Sequence, residues 1–352
     1  MSEMTTDELL TAIGELLPEF KTTGAVMQLS GGNINNVWRV DGDPDSLIAK
    51  HAPPHIATNP DVPLSIERLS FEAKALSLFS SGGQLASLAR QQIRPPELIA
   101  FDPDRSLLLM EDVEAFAELN WVPTESISPK KTGQRLGQFI GNLHRKTFMD
   151  HELRNTFANF EIQQVRHQLQ YEPAHEYGNW NDASTKTKIK KRSRDLGERL
   201  QGTGTCLVMG DLWPPSILVN KESDIRLIDW EFVHFGRPLQ DIGHFAAHCR
   251  MQGQIAETST DDNWWNELWR SFIGAYKVTT GDLYSELMNS EEKEDIGIHI
   301  GTEILVRTFG PFREGYVYEP FEEGHSVLEK ANEAAADFIC NPDSAVKHFA
   351  LS

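Results

Sequence analysis

LVMGDLWPPSILVN (Leu207–Asn220) and IRLIDWEF (Ile225–Phe232) are the two runs on which the reading of this chain turns. In the first, Asp211 sits on a tight loop anchored by Leu207-Val208 before it and Ile217-Leu218-Val219 after it, with Pro214-Pro215 stiffening the connection. A carboxylate held outward on an immobile backbone can orient an alcohol and take its proton while positioning does most of the work. A Gly-Asp pair by itself also caps turns, so the second run decides. There Asp229 and Glu231 stand two residues apart on a segment read as a strand, which sends both side chains to one face. Two carboxylates on one face repel unless a cation lies between them. Magnesium suits the position because it takes few protein oxygens when phosphates complete its shell. The apolar neighbours argue against an exposed hairpin edge, where no cation would be needed. Together the runs describe phosphotransfer equipment.

A chain of 352 residues has room for two lobes. Its 33 Lys and Arg against 52 Asp and Glu leave a net charge of -19, a field that repels nucleic acid and acidic membrane surfaces. The one dense basic run, Lys186 to Arg194, lacks interleaved aromatics and reads as a solvated helix face. Cys206, Cys249 and Cys340 are odd in number and widely spaced, so free thiols in a reducing compartment are expected. With an acidic N-terminus and no long apolar run, the expectation is a cytoplasmic protein without membrane or nucleic-acid partners. Nothing in the sequence chooses between a monomer and a homodimer.

Outward from the central runs, the first third reads as strand-rich. A helix over Thr6 to Phe20 precedes strands at Val26 to Leu29, Val37 to Val40 and Ser46 to Lys50, then an irregular connection through Pro53, Pro54, Pro60 and Pro63. A helix over Ile66 to Leu78 follows, then a strand pair at Glu97 to Asp102 and Ser106 to Met110. The remainder is mostly helical, with helices expected at Lys130 to Phe148, Ile189 to Leu200, Trp264 to Tyr276, Ile296 to Phe309 and Ser326 to Ile339. This is an α+β, bilobal layout with an N-terminal antiparallel-sheet lobe over residues 1–112 and a helical lobe over 113–352.

Other candidates gain weight from their order. Lys50 ends a strand and is the best residue to neutralise nucleotide phosphates, with Glu72 as its ion-pair partner. Gly31, Gly32 and Asn33 can let backbone amides approach a phosphate, although a Gly-Gly hairpin needs no ligand. Ser216 either completes a metal shell or bonds its own loop. Asp241 is read as capping a helix that starts at Ile242 and bracing the catalytic loop. His144, His234, His244 and His248 read as packing. Trp264, Trp265 and Trp269 line either an acceptor pocket or the core.

LSGGNINNVWRV (Leu29–Val40), LIAKHAPPH (Leu47–His55), IERLSFEA (Ile66–Ala73), LLLMEDV (Leu107–Val113) and the two central runs resemble, in this order, the motifs of the aminoglycoside phosphotransferase and choline kinase superfamily. Within it the likeness is greatest to methylthioribose kinases and fungal 4-hydroxytryptamine kinases. The resemblance implies a protein-kinase-like fold and an ATP- and magnesium-dependent kinase acting on a hydroxyl of a small molecule. It implies nucleotide binding by Gly31, Gly32, Asn33, Lys50 and Glu72, adenine bound by backbone groups of Glu111 and Val113, catalysis by Asp211 with Lys50 and Ser216, and Asp229 and Glu231 as magnesium ligands. Arg307 and Trp213 are candidates for the acceptor, which could be an aromatic alcohol, an amino alcohol or a sugar. Met209 stands where the superfamily commonly has His, Ser216 where it has Asn, and Val306 where methylthioribose kinases have the first of two arginines. A catalytically silent nucleotide-binding protein is the competing reading; a protein kinase is disfavoured because no H-R-D and D-F-G pair is present.

Overall fold

The computed structural model describes residues 4–29, 34–180, 182–256 and 263–352. The chain is α+β and bilobal. It divides into two compact units, Met1–Phe116 with Arg226–Val233, and Ala117–Ile225 with His234–Ser352. The segment carrying Asp229 and Glu231 thus belongs with the N-terminal unit, although it lies more than a hundred residues downstream of it.

In the first unit, five antiparallel strands run in the order Lys21–Gln28, Asn36–Asp43, Leu47–His51, Leu107–Glu111, Leu98–Asp102. Of the three inner strands, Leu47–His51 and Leu107–Glu111 are almost wholly buried, whereas the edge strand Lys21–Gln28 is exposed. Alternation puts Leu47 and Ala49 with Leu107 and Leu109 on the face covered by Leu9 and Ile13 of the N-terminal helix. Lys50, opposite Val37 and Leu108, therefore points to the other face. The N-terminal helix begins with a Thr5/Glu8 capping box and stops at Leu16, not Phe20, because Pro18 forces Leu17 out of helical geometry. The proline-rich connection, expected to be irregular, holds a short hairpin, His55–Ile56 with Asn59–Pro63. The helix Arg68–Phe79 then carries Glu72.

The second unit is built from the helices Pro129–Thr147, Ala183–Leu200, Leu239–Ala256, Trp264–Thr280, Ser290–Thr308 and Ser326–Cys340. Pro129–Thr147 lies tightly along Trp264–Thr280: a Cβ on Gly133 or Gly137 would fall 2.3 Å from Leu268 O or 2.1 Å from Phe272 O. Trp265 and Trp269 are buried, and Trp269 Nε1 donates to Phe349 O at 3.1 Å, so these two tryptophans are core rather than pocket wall. Trp264 is partly exposed and donates to Ile127 O at 3.4 Å. All three cysteines are free. Among the described residues, no helix is long and apolar enough to cross a membrane.

Candidate active site

The N-terminal unit gathers three carboxylates around one ammonium. Lys50 Nζ lies 2.9 Å from Glu72 Oε2, 2.7 Å from Asp229 Oδ1 and 3.8 Å from Glu231 Oε2. The expected pairing of Lys50 with Glu72 is present. The expected strand through Asp229 and Glu231 is not: it ends at Leu227, Asp229 takes the left-handed conformation (φ 63°, ψ 60°), and Trp230–Phe232 forms a single 3-10 turn. In a continued strand the two side chains would leave the backbone about 6.6 Å apart. The turn instead brings both carboxylates to the same ammonium, and Asp tolerates the left-handed conformation better than most residues. Buried Trp230 fixes the turn: its Nε1 donates to Leu227 O at 2.8 Å, its amide donates to Glu72 Oε1 at 3.3 Å, and its ring packs 5.1 Å from Phe79.

Two residues that the sequence reading passed over complete the cluster. Asn35 Nδ2 donates to Glu231 Oε2, and Arg68 Nε donates to Asn35 Oδ1 at 2.8 Å. In the sequence Asn35 is one more polar residue after a glycine turn, and Arg68 reads as a solvated helix position. Yet the Arg68 side chain is almost fully buried, its guanidinium also donating to the carbonyls of Ser65 (2.6 Å), Ile34 (2.9 Å) and Pro53 (2.9 Å). Burial works against a charged Lys50, but Asp229, Glu231 and Glu72 outweigh it and hold the ammonium well above its usual range. Burial also pushes the Glu231 carboxyl up to about 7, against the pull of Lys50. Hard oxygen donors with more negative charge than Lys50 and Arg68 balance are a chemically fitting set for magnesium.

The Asp211 loop lies in the second unit. Gly210 has φ 84°, a left-handed conformation open to glycine at no steric cost. Its amide and that of Met209 donate to the Asp241 carboxylate at 2.8 and 3.0 Å. Asp241 lies inside the Leu239–Ala256 helix, so it is not the expected cap; its bracing of the loop is as expected. The same carboxylate meets His144 Nε2 at 3.0 Å, and His144 Nδ1 meets Tyr276 OH at 2.9 Å, which gives His144 its structural place. Met209 contributes its backbone to this brace, so the brace does not require histidine there.

Asp211 itself is held by one oxygen. Arg166 Nη2 donates to Oδ1 at 2.9 Å, and His244 Nε2 lies 3.2 Å from the same atom without the alignment of a full hydrogen bond. Oδ2 receives no hydrogen bond among the described residues. Burial alone would raise this carboxyl, but His244, Arg166 and Arg307 more than offset it and hold it below the ordinary Asp value. Neither Arg166 nor His244 was assigned to this site from the sequence.

Ser216 is fully buried, with Oγ 3.0 Å from Asp211 O and 2.9 Å from Trp213 O and accepting from Trp213 N at 3.3 Å. Of the two expectations for it, the loop bond is present. Trp213 and Arg307 do come together: the guanidinium carbon lies 4.5 Å from the indole centroid, with Tyr316 at 5.2 Å and Phe312 at 5.4 Å. Glu111 accepts from Arg94 Nη2 at 2.7 Å, and its amide donates to Glu97 O at 2.9 Å. Val113 O accepts from Phe116 N at 3.0 Å. Gly31, Gly32 and Asn33 lie outside the described residues.

Known proteins with similar sequences or folds include several small-molecule kinases. The 4-hydroxytryptamine kinase of Psilocybe cyanescens is 27% identical over 333 residues, covering 83% of this chain and 90% of that protein. The methylthioribose kinase of Bacillus cereus (strain AH187) is 24% identical over 262 residues, covering 68% of this chain and 63% of that one. Among solved structures, the amicoumacin kinase hAmiN superposes with a TM-score of 0.53 at 13% identity over 95% of this chain and 93% of its own. The choline kinase of Streptococcus pneumoniae gives a TM-score of 0.52 at 17% identity over 95% and 98%. These two share the kinase-like fold with this chain. The sequence model described as the phosphotransferase enzyme family matches residues 25–272, which hold both the Lys50 cluster and the Asp211 loop, and the chain belongs to that family.

Proposed function

We propose that this protein is an ATP- and magnesium-dependent kinase that transfers the γ-phosphoryl group to a hydroxyl of a small molecule, an aromatic alcohol foremost. The observation that carries the reading is the asymmetric hold on Asp211, with Arg166 and His244 both on Oδ1 and no hydrogen bond to Oδ2 among the described residues, which leaves that oxygen for an acceptor hydroxyl. Asp211 orients that hydroxyl and takes its proton as the new oxygen–phosphorus bond forms and the bond to the ADP oxygen breaks. Arg166 and His244 keep it ionised and in one rotamer. Lys50, positioned by Glu72, meets the nucleotide phosphates, and Asp229 and Glu231 hold the metal. Magnesium, when bound, neutralises phosphate charge.

Two observations support an aromatic acceptor. A relative matched over 83% of this chain and 90% of its own length is a 4-hydroxytryptamine kinase. Trp213, two residues beyond Asp211, belongs to a cluster with Tyr316, Phe312 and Arg307, and rigid aromatic surface of this kind binds flat rings at low entropic cost. The test is acceptor-dependent ADP release with 4-hydroxytryptamine, methylthioribose, choline and an aminoglycoside, in wild type and Asp211→Asn. The expected result is turnover with the aromatic alcohol, lost in the variant by at least about 100-fold. Equal turnover in the two proteins would overturn the role of Asp211. Magnesium-dependent ATP binding with no turnover on any acceptor would favour the silent nucleotide-binding reading.

A further inference from the structure

His244 and His248 stand one turn apart on the Leu239–Ala256 helix, so both rings leave the same side. The Ser290–Thr308 helix packs against that side and brings Glu303 to them. Gly243 permits the approach, since a Cβ there would lie 2.9 Å from His299 and 3.0 Å from Ile296 on the facing helix. All three side chains are buried, and one ligand atom from each lies within 4.8 Å of the others. Glu303 Oε1 is 3.2 Å from His248 Nε2, and Glu303 Oε2 is 3.7 Å from His244 Nδ1. Donors bound to zinc at about 2.0–2.1 Å in a tetrahedron are separated by about 3.3–3.4 Å; the two spacings bracket that value but run to different oxygens of Glu303, so one carboxylate oxygen and both rings must draw together from the 4.8 Å limit to form a ligand set.

Hydrogen bonding within the protein accounts for the cluster only in part. His244 Nδ1, His244 Nε2 and His248 Nε2 are shielded from solvent and meet carboxylate oxygens at 3.7, 3.2 and 3.2 Å without the alignment of full hydrogen bonds. Folded proteins seldom bury such atoms without a partner, and a bound ion is one of the few arrangements that resolves several at once. Arg307 touches Glu303 through Oε1 alone, at 2.8 Å, which leaves Oε2 turned to His244.

We propose that His244, His248 and Glu303 form a three-ligand site for zinc or a similar transition-metal ion, with a fourth position for water or an oxygen of a small molecule. Each ligand already has the outer partner that such sites use to fix orientation. His244 Nε2 faces Asp211 Oδ1 at 3.2 Å, His248 Nδ1 meets Tyr316 OH at 2.8 Å, and Glu303 Oε1 meets Arg307 Nε at 2.8 Å. Imidazole nitrogens select zinc over magnesium, which sets this cluster apart from the all-oxygen pair Asp229 and Glu231. The site stands independently of the kinase reading, because metal content is measured without turnover.

The test is elemental analysis of untagged full-length protein purified without chelator, followed by cobalt(II) titration of metal-stripped wild type. The expected result is about one zinc per chain and cobalt absorption of tetrahedral intensity. His244→Ala and His248→Ala, with folding verified by circular dichroism, are expected to weaken zinc binding by at least about 100-fold, and Tyr316→Phe by about 10-fold. The proposal is overturned if wild type neither retains zinc nor gives tetrahedral cobalt bands, an outcome that needs no variant to fold. It is equally overturned if a folded His244→Ala/His248→Ala double variant binds zinc as tightly as wild type.

Discussion

Replacing Asp241 tests whether the Asp211 loop is held from beneath by a single carboxylate. Asp241 is fully buried and takes the amides of Met209 and Gly210 at 3.0 and 2.8 Å and the Nε2 of equally buried His144 at 3.0 Å. Asp241→Ala leaves two backbone donors and the Nε2 of His144 without a partner, and each such group costs about 1–3 kcal/mol. The sum, roughly 3–6 kcal/mol after partial relaxation, is a large fraction of the stability of a typical domain at about 5–15 kcal/mol. Asp241→Asn keeps the shape and one acceptor oxygen but turns an amide NH2 toward a donor, so it should cost about half as much. The assay is urea denaturation of wild type, Asp241→Ala, Asp241→Asn, His144→Ala and the Asp241→Ala/His144→Ala double variant. Residues in one network should couple by about 0.5–3 kcal/mol. A loss below about 1 kcal/mol for Asp241→Ala, or strict additivity with His144→Ala, would refute the brace.

Three further outcomes are expected. Gly137→Ala would set a methyl 2.1 Å from the Phe272 carbonyl, backbone that cannot swing aside, and should destabilise the protein by about 1–3 kcal/mol in calorimetry. The depressed carboxyl of Asp211 contributes stability that is present above its unfolded value and is lost as pH falls through its lower folded value. His244→Ala removes a group that depresses it, so the acid limb of the activity profile should move to higher pH, which a pH–rate series would read out. Lys50→Met strips Glu72, Asp229 and Glu231 of their shared cation, with contacts of 2.9, 2.7 and 3.8 Å lost together. Breaking one side of a buried ion cluster should cost about 3–5 kcal/mol at neutral pH and abolish protection by ATP in thermal unfolding; unchanged ATP protection would count against the phosphate role of Lys50.

Much of the fold was legible because its determinants are local. The apolar inner strands and the helical periodicities act within a few residues, so most elements were located to within a few positions; the first helix, read to Phe20, ends earlier because of Pro18. The strand assigned through Asp229 was wrong because alternation in IDWEF is also satisfied by a left-handed residue followed by a 3-10 turn. What selects the turn is the packing of Trp230 on Phe79 and Glu72, which no short window contains.

The sequence by itself singled out the candidates for the proposed chemistry: Asp211, Asp229 and Glu231 from the runs in which they stand, Lys50 and Glu72 from their order along the chain. Only the tertiary structure decided what surrounds them. Arg166 reaches Asp211 across 45 residues of chain and Asn35 reaches Glu231 across 196. His244, His248 and Glu303 meet because two helices pack closely at Gly243. A histidine pair four apart on an apolar helix reads as packing until its neighbours are known, since periodicity reports which face is buried and not what that face is buried against.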